Sequence, residues 1–351
     1  MKRVLITGIT GQDGAYLAAF LLGKGYEVYG TYRRVSTPNF WRLQFLDVLD
    51  KITLIPADLA DTSSLLEAIT ISEASEIYNL AAQSYVSASF DQPLLTTEID
   101  GSGASRILEI VRHLKHDIKY YQASTSELYG SVLDSPQNEN TRFWPNSPYA
   151  AAKLLSYHNT RIYRETYGIF ACNGILFNHE SPIRGIEFVT RKISNVVAKI
   201  KLGLENHLVL GNLEARRDWG YAPEYVEAMW LVMQQEKADD YVVATGETHS
   251  VREFVEEAFR IAELDYSRYL RTDDIFLRPK DVDLLCGDCS KLKKMAGWQA
   301  KTSFKDLVKI MVEADIERWS SYLIGKIFPW DALNYPGDIK LLKRHVKKPV
   351  K

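Results

Sequence analysis

The chain has 351 residues, with 43 lysines and arginines against 45 aspartates and glutamates and a formal net charge of -2. That length suits one large α/β domain with a smaller lobe, and the near-neutral balance gives no electrostatic reason to expect a nucleic-acid partner. No apolar run approaches the ~18 residues of a membrane span, and the apolar start at Val4 meets glycine too soon for a signal peptide, so a cytoplasmic protein with no membrane partner is expected.

Val4-Leu5-Ile6 reads as a first strand, Ala15 to Leu22 as a helix and Val28 to Tyr32 as a second strand. Between strand and helix lies Thr7-Gly8-Ile9-Thr10-Gly11-Gln12-Asp13-Gly14. Glycines at such a turn let backbone approach a pyrophosphate, and the helix N-terminus adds donors and partial positive charge. The spacing is Gly-x-x-Gly-x-x-Gly, and a glycine-rich turn without a ligand is the plain alternative. Strand, glycines, helix and strand in sequence favour dinucleotide binding, with Gly8, Gly11, Gln12, Asp13 and Gly14 as cofactor contacts. Arg33 and Arg34 follow the second strand, where an NAD site would offer an acid to the ribose diol; two arginines suit a 2'-phosphate, hence NADP, unless they are a solvated basic pair.

Ile52 to Pro56 is a third strand. Asp58 is placed to accept from an adenine amino group with Leu59 against the ring, although a helix start at Asp61-Thr62 explains part of that region. Glu76 to Gln83 is a fourth strand and its end, where Leu80 and Ala82 can let the cofactor lie close and Ser84 can reach a substrate. Thr97 to Arg112 has helical periodicity, and Ile118 to Ser124 is a fifth strand that delivers Thr125, Ser126 and Glu127 to a carboxyl end.

Pro148-Tyr149 opens the next helix, and Tyr149 and Lys153 are four apart, on one face. A lysine beside a phenol favours the phenolate and makes an acid/base for neutral pH. A Tyr-x-x-x-Lys pair is weak evidence by itself; the N-terminal turn and Thr125 strengthen it. Glu127 adds a carboxylate that alcohol oxidation does not need but proton removal beside a carbonyl does, against a surface glutamate as the bland reading.

In the second half, Ala171 to Phe177 is a strand, Val189 to Ile200 and Tyr225 to Met233 are helices, and Tyr241 to Ala244 is a further parallel strand. Ser250 and Glu253 fit a capping box, and Ser303 to Trp319 is a last amphipathic helix. Arg216-Arg217 lie in a donor-rich loop suited to a diphosphate, with one of the pair read as solvated, and Arg278 to Asp283 is a second charged loop in the smaller lobe. Cys286-x-x-Cys289 lacks a second pair, the seven histidines show no metal spacing, and no metal is expected; His179 can line the cofactor pocket. The fold class is α/β, a Rossmann-type doubly wound parallel sheet with a smaller, mainly C-terminal substrate-binding lobe. Its expected division is 1–178 for NADP, completed by about 221–250, then 179–220 and 251–330 for substrate, with a tail over 331–351.

With these residues in view, the chain resembles an extended short-chain dehydrogenase/reductase, and within that group the GDP-mannose 4,6-dehydratase family. The segments that carry the resemblance are the glycine turn, Ser124 to Gly130, Ser147 to Lys153, Asn173 to Pro182, Arg217 to Gly220 and Ala244 to Gly246. The resemblance implies that Thr125, Tyr149 and Lys153 oxidise C4 and that Glu127 is the C5 base. It places Ser126 where related glucose-nucleotide dehydratases carry an aspartate. It gives Arg33, Arg34, His179 and Arg184 to NADP, and Asn178, Lys192, Arg217 and Arg278 to the nucleotide diphosphate of a GDP-linked sugar. Homodimers or homotetramers are implied as well. Two departures, the short Val35 to Leu46 segment and Ile183 in place of an arginine, point to a shifted substrate such as GDP-manno-heptose. A nucleotide-sugar reductase or epimerase, and a protein that senses NADP without turning it over, are the competing readings.

Overall fold

Val4, Leu5 and Ile6 are all buried in the strand Arg3–Thr7 (β1), as a strand covered on both faces requires. Glu76–Asn79 (β4), Lys119–Thr125 (β5), Ala171–Leu176 (β6) and Asp240–Val243 (β7) are buried in the same way, whereas Glu27–Tyr32 (β2) mixes buried and half-buried positions and Thr53–Pro56 (β3), at the sheet's edge, buries Ile55 alone. These seven strands form one sheet in the order β7-β6-β5-β4-β1-β2-β3, each neighbouring pair parallel. The computed structural model describes residues 2–36, 39–114, 117–276, 280 and 282–326, so Arg278 and the tail lie outside the described residues.

Helices cover both faces. Gln12–Gly23 (α1) packs against a later helix, Ala222–Met233, on one face, while Thr62–Ser72 (α2), Gly103–Leu114 (α3) and Pro148–Tyr167 (α4) pack on the other. Their starts are set by local chemistry. Asp61 caps α2 by accepting from Ser63 and Ser64, and Ser147 caps α4 just before Pro148. The expected capping box of Ser250 and Glu253 opens Val251–Ile261.

Two local differences have physical reasons. The helical run from Thr97 begins with a π-helical stretch, Thr97–Ser102, which turns Asp100 and Gly101 inward against α4. A Cβ on Gly101 would lie 3.0 Å from Leu155 Cδ2 and 3.3 Å from Ala152 O, a close approach of this stretch to α4. The helix expected from Tyr225 starts at Ala222, because Pro223 suits its first turn. Among the described residues, no helix is long and apolar enough to cross a membrane.

A second hydrophobic cluster forms the smaller lobe. Val189–Lys201 (α5), Ala222–Met233 (α6), Val251–Ile261 (α7) and Phe304–Leu323 (α8) follow the sheet's β6, and α5, α7 and α8 pack together around Val197, Phe254, Phe259 and Met311. A buried ionic knot ties this lobe to the sheet. Asp315 on α8 accepts from Arg191 Nη1 at 2.8 Å and from Ser194 Oγ at 2.7 Å, and Arg318 Nη1 lies 3.0 Å from its other oxygen. Arg191 Nε and Arg318 Nη2 both donate to the Pro182 carbonyl, at 3.1 and 2.8 Å. Burial pushes the Asp315 carboxyl up to about 6 against the pull of Arg191.

Removing that carboxylate leaves two guanidinium groups in a dry place. Asp315→Ala should therefore lower unfolding stability by about 3–5 kcal/mol, read from the urea midpoint at unchanged slope. A loss within about 0.5 kcal/mol, the range of an ordinary surface change, would show that the knot contributes little.

Candidate active site

The strand order reverses beside β1, and the carboxyl ends of β1, β4, β5 and β6 open there into a cleft of about 440 Å³. The turn after β1 forms one wall. Gly8 has φ +67, and a Cβ on it would lie 2.8 Å from the backbone of Ala81. A Cβ on Gly14 would lie 2.4 Å from Gly8 O. Both glycines are thus required by the protein's own backbone. Gly11 differs: a Cβ there would meet Gly8 O at 3.2 Å and then open space on the cleft side, so its bareness leaves room for a ligand. Thr7 fixes the turn against β4, donating to Asn79 Oδ1 at 2.7 Å and accepting from Leu80 and Ala81 N–H groups at 3.1 Å.

Asp58, Leu59, Leu80, Ala82 and Ser84 line the same cleft. Asp58 Oδ1 also accepts from Ala60 N at 2.9 Å. Of the arginine pair, Arg33 borders the cleft, whereas Arg34 is exposed outside its lining.

Across the cleft, the segment after β6 brings in Asn178, His179 and Arg184. His179 stands between two acceptors, Phe177 O at 2.7 Å from Nδ1 and Asp13 Oδ2 at 2.8 Å from Nε2. Two acceptors on two ring nitrogens require two N–H donors, so the ring is an imidazolium. Burial opposes that charge, but Asp13 wins and raises the His179 pKa. Burial also works against the Asp13 carboxylate, yet His179, Arg184 and Gln12 together hold it at about 2. Gln12 Nε2 donates to His179 O at 3.1 Å and Gln12 Oε1 accepts from Ser181 Oγ at 2.7 Å. Arg42, in the short segment after Arg34, donates to Thr10 O and Ile183 O. Sequence reasoning missed Arg42, since nothing in its neighbourhood marks it.

Thr125, Ser126, Glu127, Tyr149 and Lys153 all line the cleft. The Thr125 hydroxyl accepts from Glu127 N at 3.2 Å. Lys153 is 3 % exposed, and its Nζ donates to Ala123 O at 3.0 Å, 5.9 Å from the centre of the Tyr149 ring. The expectation that lysine would favour the phenolate is corrected here. Burial, then the charge of Asp100, pushes the Tyr149 phenol up. Asp100 is the other residue that sequence reasoning passed over; it lay within an amphipathic pattern that gave no hint of an inward turn.

Lys192 and Arg217 lie outside the cleft lining. Burial pushes Lys192 down to about 8, and its Nζ sits 3.7 Å above the Phe276 ring. Arg217 Nη1 donates to Arg216 O and Val282 O.

The family described as GDP-mannose 4,6 dehydratase matches residues 5–311. "GDP-mannose 4,6 dehydratase 2" from Arabidopsis thaliana is 52% identical over 326 residues, 90% of this chain and 87% of the relative. "GDP-mannose 4,6 dehydratase" from Homo sapiens is 49% identical over 338 residues, 89% of this chain and 91% of the relative. Among solved structures, a dTDP-glucose 4,6-dehydratase from Streptomyces venezuelae superposes with a TM-score of 0.81 at 23% identity, covering 94% of this chain and 99% of that one, a likeness of fold.

The charged state of the Asp13–His179 pair is testable. His179→Gln should cost about 2 kcal/mol of unfolding stability, the scale of a hydrogen bond to a charged group. Asp13's lowered pKa makes its share present above 3.8 and lost as pH falls toward about 2; His179's raised pKa makes its share full below 6.5 and lost as pH rises through the folded value. The gap between native protein and variant should be widest between these limits and close on both sides. A gap that does not change with pH would mean a neutral ring.

Proposed function

The chain belongs to the GDP-mannose 4,6-dehydratase family, and we propose from that premise that it is a hydro-lyase converting GDP-mannose to its 4-keto-6-deoxy product with bound NADP. The observation that carries the reading is Glu127 in one cleft with Thr125, Tyr149 and Lys153. The fold suits a nicotinamide cofactor, and the bare face of Gly11 at the start of α1 fits its pyrophosphate. Gly8, Gly11, Gln12, Asp13 and Gly14 would hold that group, Arg33 and Arg34 the 2'-phosphate, Asp58 and Leu59 the adenine. Leu80, Ala82, His179 and Arg184 would line the nicotinamide half, with Tyr149 and Lys153 toward its ribose. When bound, NADP supplies the reversible two-electron acceptance that C4 oxidation and C6 reduction require.

The residues of the chain do the rest. As the phenolate, Tyr149 takes the O4 proton, and Thr125, in the same cleft, orients the same oxygen. The resulting 4-ketone acidifies C5–H, which Glu127 removes. Ser126 with Glu127, or a water, protonates the departing C6 hydroxyl, and C5 is reprotonated at the end. Asn178, Lys192 and Arg217 hold the GDP diphosphate, with Arg278 from outside the described residues, and Ser84 reaches the substrate from the end of β4. The protein acts in the cytoplasm as a homodimer or homotetramer. The names of the relatives support mannose as the sugar, and GDP-manno-heptose is the second substrate to offer.

Glu127→Gln should still bind cofactor and nucleotide sugar and still oxidise C4, but lose water about 10²- to 10⁴-fold more slowly. Mass spectrometry of the sugar product reads this directly. Dehydration at the native rate would remove Glu127 from the mechanism; a product with its C6 hydroxyl intact from native protein would mean an epimerase, and consumption of added NADPH a reductase.

Cofactor choice has its own test. Replacing Arg33 and Arg34 by serine should weaken NADP binding about tenfold to a hundredfold while leaving NAD almost unchanged, by the worth of charge-assisted hydrogen bonds. Calorimetry showing equal losses for both cofactors would refute the 2'-phosphate role.

A further inference from the structure

The hydrogen bond that holds Lys153 Nζ ends on a shared group. Ala123 O accepts from Lys153 Nζ and from Gln122 Nε2, each at 3.0 Å. Ala123 lies one residue past Gln122, the last position at which β5 pairs with β4. Gln122 is buried, lies outside the cleft lining and has no part in the chemistry above.

The orientation of the Gln122 amide is forced from a distance. Leu80 and Ala81 give backbone N–H groups to Thr7 Oγ1, each at 3.1 Å, so the hydroxyl accepts there and its single proton goes to Asn79 Oδ1 at 2.7 Å. Asn79 therefore turns its NH2 the other way, and Nδ2 donates to Gln122 Oε1 at 2.8 Å and to the Tyr120 hydroxyl at 3.2 Å. Tyr120, accepting from Asn79, passes its own proton to Gln122 Oε1 at 2.5 Å. With two donors on Oε1, the NH2 of Gln122 must face Ala123 O. The series begins on backbone donors and ends on a backbone acceptor, whose sense is fixed, so each side chain between them has one arrangement. Thr7, Asn79, Tyr120 and Gln122 are each at most 2 % exposed, so bulk water does not compete for these groups.

We propose that Gln122 is the positioning residue for Lys153, and that the series Thr7, Asn79, Gln122 aims the ammonium from the glycine turn. The inference rests on the role given to Lys153 in the proposed function. A carbonyl oxygen accepts over a broad range of directions, so one carbonyl by itself leaves an ammonium free to swing about it. Gln122 Nε2 occupies one side of Ala123 O and confines Lys153 Nζ to the other. An ammonium has three donors, and confining the one on Ala123 O also limits where the other two can reach in the cleft that Lys153 lines.

The far end of the series gives this arrangement its use. The Thr7 hydroxyl that orients Asn79 also holds the backbone of Ala81, which lies where a Cβ on Gly8 would come within 2.8 Å. The turn that receives the cofactor and the ammonium that works beside Tyr149 are therefore set in one buried frame. A side chain held by packing and hydrogen bonds in this way keeps the geometry that the chemical step needs, and a displacement on the scale of 1 Å is enough to cost about a hundredfold in rate.

Gln122→Met keeps the length of the side chain and removes both its donor and its acceptor. In a single turnover of NADP-loaded protein with GDP-mannose, followed by the absorbance of reduced nicotinamide, it should slow C4 oxidation about tenfold to a hundredfold. Equilibrium binding of NADP and GDP-mannose should stay at native values, because Gln122 lies outside the cleft lining. Nitrogen NMR of labelled lysine, with the Lys153 signal assigned from Lys153→Met, should show that signal displaced in Gln122→Met. A glutamine that only packs the sheet would lower unfolding stability and leave both the rate and the Lys153 signal unmoved, and that result overturns the proposal. If Gln122→Met does not fold, Asn79→Asp carries the test. Its two oxygens accept from Thr7 on one side and from Gln122 Nε2 and Tyr120 on the other, so the Gln122 amide turns over and Ala123 O loses that donor. The same slowing at native affinities supports the positioning, and a native rate overturns it. Lys153→Met separates this step from the reading beneath it. C4 oxidation at the native rate in Lys153→Met removes the role of Lys153 and the positioning with it, whereas a slow Lys153→Met beside a native-rate Gln122→Met overturns the positioning alone. Native protein that reduces its cofactor with neither GDP-mannose nor GDP-manno-heptose would overturn the proposed function itself, and the Lys153 signal would still decide whether Gln122 holds the ammonium.

Discussion

The ammonium of Lys153 is held in a place nearly closed to water, and the active cleft is arranged around that fact. An effective desolvation cost of several kcal/mol per buried ion exceeds the ~1.5–3 kcal/mol that one hydrogen bond to a charged group returns. The Ala123 carbonyl is therefore not enough, and the fields of Asp100 and Asp13 help to hold the charge. Each comes from a separate element: the π-helical stretch before α3, and the first turn of α1. The sheet order that puts β1, β4 and β5 side by side brings them within range of a lysine on α4. The same burial that strains Lys153 also lifts the Tyr149 phenol, so the pair cannot be understood as two residues on one helix face. It is a group of charges whose sum must stay small.

A second constraint couples the cleft to the smaller lobe. The segment from Phe177 to Arg184 is held from three directions: by Gln12 and Asp13 of α1, by Arg42, and by Arg191 and Arg318 from α5 and α8 at Pro182. A reaction whose oxidation and reduction cancel gains from a wall that stays shut over the cofactor between the two. Loose tethering of this segment would let the cofactor side and the substrate side move independently. The ionic knot at Asp315 makes such movement costly, because two arginines lose their partner together.

The sheet and most of its helices were legible in the sequence, because unbroken apolar runs and helical periodicity report burial directly. The capping box at Ser250 and the proline starts at Pro148 were legible for the same reason: their chemistry is local. The cleft side chains from Thr125 to Lys153 were found because their types and spacing suit a known kind of acid/base work. Asp100, Arg42 and the Asp315 knot were not. Their partners lie far away in sequence, and an aspartate inside an amphipathic helix pattern reads as solvated unless the helix is known to widen. The pKa argument failed on the same ground, since spacing placed the lysine near the phenol but said nothing of how dry the pair is.

The glycine turn shows how a correct expectation can have a second cause. Its glycines were assigned to the approach of a pyrophosphate, yet Gly8 and Gly14 are needed before any ligand arrives, because Ala81 and the turn's own carbonyl occupy the space a side chain would take. Thr7 holds that close approach by bonding three groups at the end of β4. The turn is thus fixed by packing within the chain, and Gly11 is left as the position whose missing side chain serves a ligand. A site shaped in this way is organised in advance, so binding need not spend free energy on ordering it. That surplus is what a site needs to keep a cofactor in place while the sugar is oxidised, dehydrated and reduced.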